Sequence, residues 1–368
     1  MQLEAGQKIN QYVLEQRLGS GASGEVWRAQ DGTRVVALKF MNEQLMNGDD
    51  ADQHRDNLET EIHALRLIQH PNIPGLYDHD LDFERPYLVM EYVEGQPYDR
   101  LVSGGEIFTI EIEKRLEVLR EIAGAISAAH DAGIIHRDIK PAHISGIDTP
   151  YLLDFSVALE RTEVSGARQN VGTALYLPPP HEPPDELSDQ YSFALTAYEI
   201  LFGRHAIFSG DDSGTSVDAL RQLAADRIIE RTWRLPSALP RPELPGDLYG
   251  ADLERLDAVF EKALGARDGR YENLGALVDD LKKAILIPSN QPYLDNPLRL
   301  AYLPNFAAPP IPAEESYTLN EVAKAFRRTD HPRRVRPKPR RDRWLLTGLA
   351  ILSLAGLVLL VILGRAGL

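Results

Sequence analysis

The stretch His136–Ile144, HRDIKPAHI, gathers two histidines, an aspartate, an arginine and a lysine beside a proline. Imidazole and carboxylate at this density suit three settings: a metal site, a loop that moves protons, or a solvated turn. A second carboxylate, Asp154, closes the apolar run YLLD, where a turn after a buried strand would also account for it. Upstream, Leu18–Val26 reads LGSGASGEV, with Gly19, Gly21 and Gly24 in G-x-G-x-x-G spacing. Glycines so spaced let backbone amides approach phosphate oxygens with no side chain in the way. Lys39 closes VVALK, whose apolar neighbours hold its ammonium near a sheet. The chain has no cysteine, which removes zinc–thiolate sites, disulfides and a cysteine nucleophile.

These groups need elements to hold them. From Tyr12 to about Tyr92, β-rich runs (VVALKF, YLVMEYV) surround one helical stretch, DNLETEIHALRLIQH, predicting a small sheet that carries one helix. Leu58, Ile62 and Leu65 share a face of that helix, and Glu61 stands at its shoulder within reach of a lysine from the sheet, while Glu59 turns to solvent. From about Tyr98 to Ala284 the pattern is helical: Ile112, Leu116, Leu119, Ala123 and Ile126 recur every three or four residues before Gly133. YSFALTAYEILFG and LERLDAVFEKAL predict further helices. After the glycine loop, EVWRAQDGTRVVALKF reads strand, turn, strand, so a dinucleotide fold, which opens a helix there, is excluded.

Taken in order, GSGASG, VALK, a helical glutamate, HRDIKP, DFS, GTALY and SDQYSFALTAYEILFG resemble the eukaryotic-type protein kinases, in their bacterial serine/threonine branch, over residues 12 to about 284. The resemblance implies an α+β, two-lobed protein-kinase-like fold, with a β-rich N-lobe over 12–92 and a mostly helical C-lobe over 98–284. It implies ATP with Mg2+ or Mn2+ as cofactors and protein hydroxyls as substrates. Leu18, Gly19, Ser20, Gly21, Ala22, Gly24 and Val26 would then cover the nucleotide, with Ala37 beside it. Met90, Glu91 and Val93 would form the hinge against adenine, mainly through backbone groups. Lys39 would hold the α and β phosphates and pair with Glu61; Asp138 would orient the substrate hydroxyl and take its proton; Lys140 would stand near the transferred phosphate; Asp154 would bind metal. On the same likeness Arg137 would bind a phosphorylated activation segment, with Thr162 and Ser165 as acceptors formed by self-association, and Thr173 would position the catalytic loop.

Two departures stand out. Pro178, Pro179 and Pro180 replace the family's Ala-Pro-Glu, whose glutamate pairs with a buried arginine; Arg270 matches that arginine, and either Glu182, two residues late, substitutes as its partner or the guanidinium is left without one, at a cost. His143 replaces the asparagine that serves the second metal, and imidazole is a poorer ligand for magnesium and suits manganese better. Ser156 replaces a glycine without removing a ligand. A zinc reading of HRDIKPAHI leaves the motifs on either side unexplained, so the catalytic loop is the expected reading. An alternative stays open: a pseudokinase that binds nucleotide or serves as a scaffold.

The formal charge is −15, yet residues 327–343 carry nine Arg or Lys against two Asp, so the remainder is more acidic still and nucleic acid is not an expected partner. Trp344–Leu363 contains twenty residues without a charge, long enough to cross ~30 Å of hydrocarbon. The basic flank predicts that residues 1–343 stay on the cytoplasmic side of a bacterial inner membrane, with only residues 364–368 beyond it. No secretory leader is visible, and residues 285–343, rich in proline and then arginine, read as a linker.

Overall fold

The computed structural model describes residues 2–287, apart from 22–23, 44–45, 47–50, 164–170, 181, 209–215 and 231. Ala22, Ser165, the basic linker and the apolar span at 344–363 therefore lie outside the described residues. Among the described residues no helix is long and apolar enough to cross a membrane.

Strands β1 (Lys8–Ile9), β2 (Tyr12–Gly21), β3 (Gly24–Asp31), β4 (Arg34–Phe40), β5 (Leu76–Asp80) and β6 (Tyr87–Glu91) form one antiparallel sheet in the order β1-β2-β3-β4-β6-β5. The sheet thus begins before the expected boundary at Tyr12: a two-residue edge strand has no alternating pattern to read, yet Leu3 and Ile9 join its core. Alternation sorts the two faces. Leu14, Trp27, Val36, Leu38, Phe40, Tyr87 and Val89 make the core on one side. Val26, Ala37, Lys39, Leu88 and Met90, aligned by the pairs Val26–Lys39, Lys39–Leu88 and Ala37–Met90, point to the other.

Helix α1 (Ala51–Leu67) lies over that second face, seating Leu58 and Ile62 against Leu88. Each such side chain contributes roughly 1.5–3 kcal/mol on full burial. Beyond β6 the chain is mainly helical: α2 (Tyr98–Ser103), α3 (Ile112–Asp131), α4 (Glu186–Phe202), α5 (Val217–Ile229), α6 (Leu253–Leu264) and α7 (Leu274–Leu286), the last running past the expected end at Ala284. Short strands β7 (Ile134–Ile135), β8 (Ile144–Ser145), β9 (Tyr151–Leu152) and β10 (Leu159–Glu160) pair as β7–β10 and β8–β9, framing the polar loops between them.

Helix α4 is the axis of this half. Asp185 caps its start by accepting from Leu187 N and Ser188 N, and Gly203, at φ 70°, ends it in the left-handed region. Every residue from Ser188 to Phe202 is buried, the polar Asp189, Gln190, Thr196 and Glu199 included. The Tyr198 ring stacks on Phe202 at 4.4 Å and meets Phe260 of α6 edge-on at 5.1 Å.

Candidate active site

The cleft between sheet and helices is built around one lysine. Strand β4 carries Lys39 to 3% exposure, where Nζ donates to Glu61 Oε2 at 2.6 Å and to Asp154 Oδ1 at 2.8 Å. Glu61 is inside the packed face of α1 rather than at its shoulder, at 1% exposure. Burial alone would drive the Lys39 ammonium toward neutrality, but Asp154 and Glu61 outweigh it and hold it charged. Burial lifts Glu61 to about 7 against the pull of Lys39, whereas Asp154 is held well below the usual carboxylate range because Lys39 overcomes its burial.

The glycine loop is the hairpin of β2 and β3, which pairs Gly19 with Val26 and Gly21 with Gly24. Gly24 has φ 135°, and a Cβ there would stand 2.2 Å from the Phe40 carbonyl oxygen, so no other residue fits. Leu18, Gly19, Ser20 and Gly21 end β2, and Val26, Ala37 and Met90 lie on the cleft face of the sheet. At Glu91 the carboxylate accepts from Tyr151 OH at 3.0 Å and the N–H donates to Gly75 O at 2.9 Å. Val93 is the second residue after the strand.

The loop after β7 is held by a residue the sequence reading gave no role. Asp189 of α4, fully buried, accepts from His136 N and Arg137 N, each at 2.8 Å, and from His130 Nε2 at 2.8 Å. These bonds fix Arg137 at φ 69°, a conformation that non-glycine residues adopt only when their surroundings impose it. In sequence Asp189 passes for an acidic residue complementing the first turn of a helix, and only its burial distinguishes it.

Asp138 follows. Its Oδ1 accepts from Thr173 N at 2.7 Å and its Oδ2 from Lys140 Nζ at 2.7 Å; Lys140 Nζ also donates to Thr173 Oγ1 at 2.6 Å. Burial would raise the Asp138 carboxyl, but Lys140, His143 and these hydrogen bonds hold it down at about 2, so it is ionised throughout the neutral range. Gly172, at φ 114°, lets this segment approach: a Cβ there would meet the Arg137 carbonyl oxygen at 2.3 Å.

His143 closes the short 3-10 turn Pro141–His143. Its Nδ1 is 2.9 Å from the Asp138 main-chain oxygen, and its Nε2 is 3.4 Å from Asp154 Oδ2. Burial and the neighbouring Lys140 lower its pKa to about 4, so the ring is neutral. Asp154 itself has φ 65°, and Ser156 N donates to its Oδ1 at 3.3 Å. Among the described residues no three His, Asp or Glu converge on one point, so a cation held by Asp154 and His143 would complete its shell from a ligand's oxygens. That donor set, a hard carboxylate oxygen open beside a charged lysine, fits a divalent ion carried with phosphate.

Arg270, with its side chain fully buried, meets Glu182 through two bonds of 2.7 Å. The carbonyls of Pro178 and Pro179 accept from Arg221 at 2.8 and 2.9 Å. Thr162 is in the exposed turn Arg161–Glu163, with its hydroxyl 3.4 Å from Glu160. Glu160 in turn meets His63 of α1 at 2.7 Å.

Comparison with known proteins places this geometry. A model of the protein kinase domain family matches residues 12–255. Among curated proteins, a probable serine/threonine-protein kinase of Clostridium acetobutylicum is 30% identical over 74% of this chain and 39% of its own length. The serine/threonine-protein kinase PknL of Mycobacterium tuberculosis is 32% identical over 69% of this chain and 67% of its own. The chain thus spans well under half the length of the clostridial relative, and 43% of serine/threonine-protein kinase A of Synechocystis. Among solved structures, the kinase domain of M. tuberculosis PknI matches with a TM-score of 0.53 and 25% identity, over 77% of this chain and 99% of that one.

Proposed function

Because the chain belongs to the protein kinase family, we propose that it is an ATP-dependent serine/threonine protein kinase that phosphorylates protein hydroxyls from a membrane anchor. The observation that carries the reading is the meeting, in one cleft, of Lys39 held between Glu61 and Asp154 with Asp138 held between Lys140 and Thr173. Lys39 would bind the α and β phosphates of ATP beneath the glycine hairpin, and Asp154 would hold the divalent ion, Mg2+ or Mn2+. When bound, that ion offsets the charge gathering on the β and γ phosphate oxygens. Asp138 aims an ionised oxygen at the incoming hydroxyl, orients it, and takes its proton as the new bond forms. A carboxylate held near a pKa of 2 is a weak base, so its main contribution is alignment. Lys140, bridged to Thr173, presents its ammonium where the transferred phosphoryl group would pass.

A pseudokinase is the second reading, favoured by one observation: an imidazole stands where the family uses an amide ligand. Transfer of labelled γ-phosphate from ATP to a generic protein substrate by the full chain, with each metal and with Asp138→Asn as the control, separates the two. Nucleotide binding without transfer by the wild type would leave only the second.

Trp344–Leu363, uncharged and preceded by a basic segment, supports a single-pass anchor in a bacterial inner membrane with the catalytic domain inside. Digestion of the domain by protease outside intact cells would reverse that topology. Thr162 and Ser165 are the proposed sites of autophosphorylation between associating copies, with Arg137 receiving the phosphate. Mass spectrometry of protein incubated with ATP should find one of them modified in the wild type and neither in Asp138→Asn.

A further inference from the structure

Resting on the nucleotide-site reading above, we infer that His143 Nε2 and Asp154 Oδ2 form a mixed imidazole–carboxylate pair that selects a first-row transition-metal divalent cation over magnesium when the cleft holds nucleotide. His143 Nδ1 lies 2.9 Å from the Asp138 main-chain oxygen. A carbonyl oxygen only accepts, so the ring hydrogen is on Nδ1 and the Nε2 lone pair is left bare. That lone pair faces Asp154 Oδ2 across 3.4 Å. The other oxygen of the same carboxylate, Oδ1, is already taken by Lys39 Nζ and Ser156 N. Two acceptors facing each other in a buried cleft repel unless a cation lies between them.

The ring is not free to turn away. It is buried to 13% side-chain exposure in a turn that begins at Pro141, and the buried His136 ring stands beside it at 6.3 Å. With ligand bonds of about 2.0–2.2 Å, a cation touching both atoms would see them at roughly 100–115°. Magnesium demands near-ideal right angles and oxygen ligands. Both the angle and the nitrogen therefore count against it, whereas first-row transition ions accept imidazole. Because Nδ1 is anchored to the main chain of Asp138, the same ring would tie the cation's position to the catalytic loop.

Manganese is the probe, since it can be followed by electron paramagnetic resonance. The full chain with equimolar Mn2+ and the β,γ-methylene analogue of ATP, which has no bridging nitrogen, should show strong coupling to a directly bound imidazole nitrogen. His143→Asn should abolish that coupling. In competition between Mn2+ and Mg2+ at a fixed level of the analogue, the wild type should favour manganese about tenfold more than His143→Asn does. The resonance measurement on the wild type needs no variant to fold. Absence of nitrogen coupling there, or a competition ratio that His143→Asn leaves unchanged, overturns the inference while nucleotide binding persists. Failure of the wild type to bind the analogue with either cation overturns it together with the nucleotide-site reading.

Discussion

At residues 178–182 and at residue 143 the chain departs from the pattern of its family, and the two regions absorb the change differently. In the first, the glutamate is displaced by two positions, yet Glu182 still meets the buried Arg270 in a two-bond pair at 2.7 Å. Both partners have long side chains, and what the fold requires is a carboxylate against a guanidinium, with no constraint on where the glutamate sits in the chain. In the second, the new side chain occupies the original place, its Nδ1 on the Asp138 carbonyl and its Nε2 toward Asp154. A ligand position admits no displacement, because it is defined by the atoms around it. A structural pair can drift along the sequence and keep its energy, while a ligand site that changes residue changes its chemistry.

The sharpest way to break this contrast is at Asp138. Asp138→Asn keeps the size and one acceptor but removes the charge; phosphotransfer should fall by about 10³-fold or more, with analogue binding unchanged. A loss confined to nucleotide affinity would show that Asp138 acts elsewhere.

Next in size is the displaced pair. Glu182→Ala leaves a buried guanidinium without its carboxylate and should cost ~3–5 kcal/mol, read from the urea midpoint or the melting temperature. Adding Pro180→Glu to that variant should recover most of the loss. If it recovers none, the pair is tied to its position after all, and the contrast with residue 143 disappears.

The gentlest effect, counted per unit of pH, comes from Glu199, whose Oε2 accepts from the Tyr176 hydroxyl at 2.7 Å. Burial raises Glu199 to about 8, against the pull of that hydrogen bond. A carboxyl whose folded pKa is raised above its ordinary 4.5 lends stability that is full below that value and is lost as pH climbs toward 8. The slope should be roughly 1.4 kcal/mol per pH unit in that window. Glu199→Gln should flatten the dependence in denaturant titrations; an unchanged slope would place the titrating group elsewhere.

Much of the site could be read before any coordinates, for identifiable reasons. Lys39, Glu61, Asp138 and Asp154 sit in local patterns that depend on neighbours one to four residues away. The partner of Arg270 was open to inference because a displaced glutamate stays close in sequence. Asp189 was not, since its three bonds go to residues more than fifty positions upstream and its own neighbourhood is that of an ordinary helix start. Nor was the tautomer of His143, which depends on a main-chain oxygen turning toward the ring. Strand β1 escaped because two residues have no period.

Asp189 also sets an order in time. His136, Arg137 and Asp138 leave the ribosome well before the carboxylate that fixes their backbone, and an emerging chain that ends after DFS contains nearly every diagnostic motif without the group that shapes its catalytic loop. At a synthesis rate of ~5–20 residues per second, the interval between the two is several seconds. A nascent chain would therefore remain unable to phosphorylate its surroundings until helix α4 had been made and had docked, and a gene fragment cut short of that helix would encode a protein recognisable by its motifs but catalytically silent.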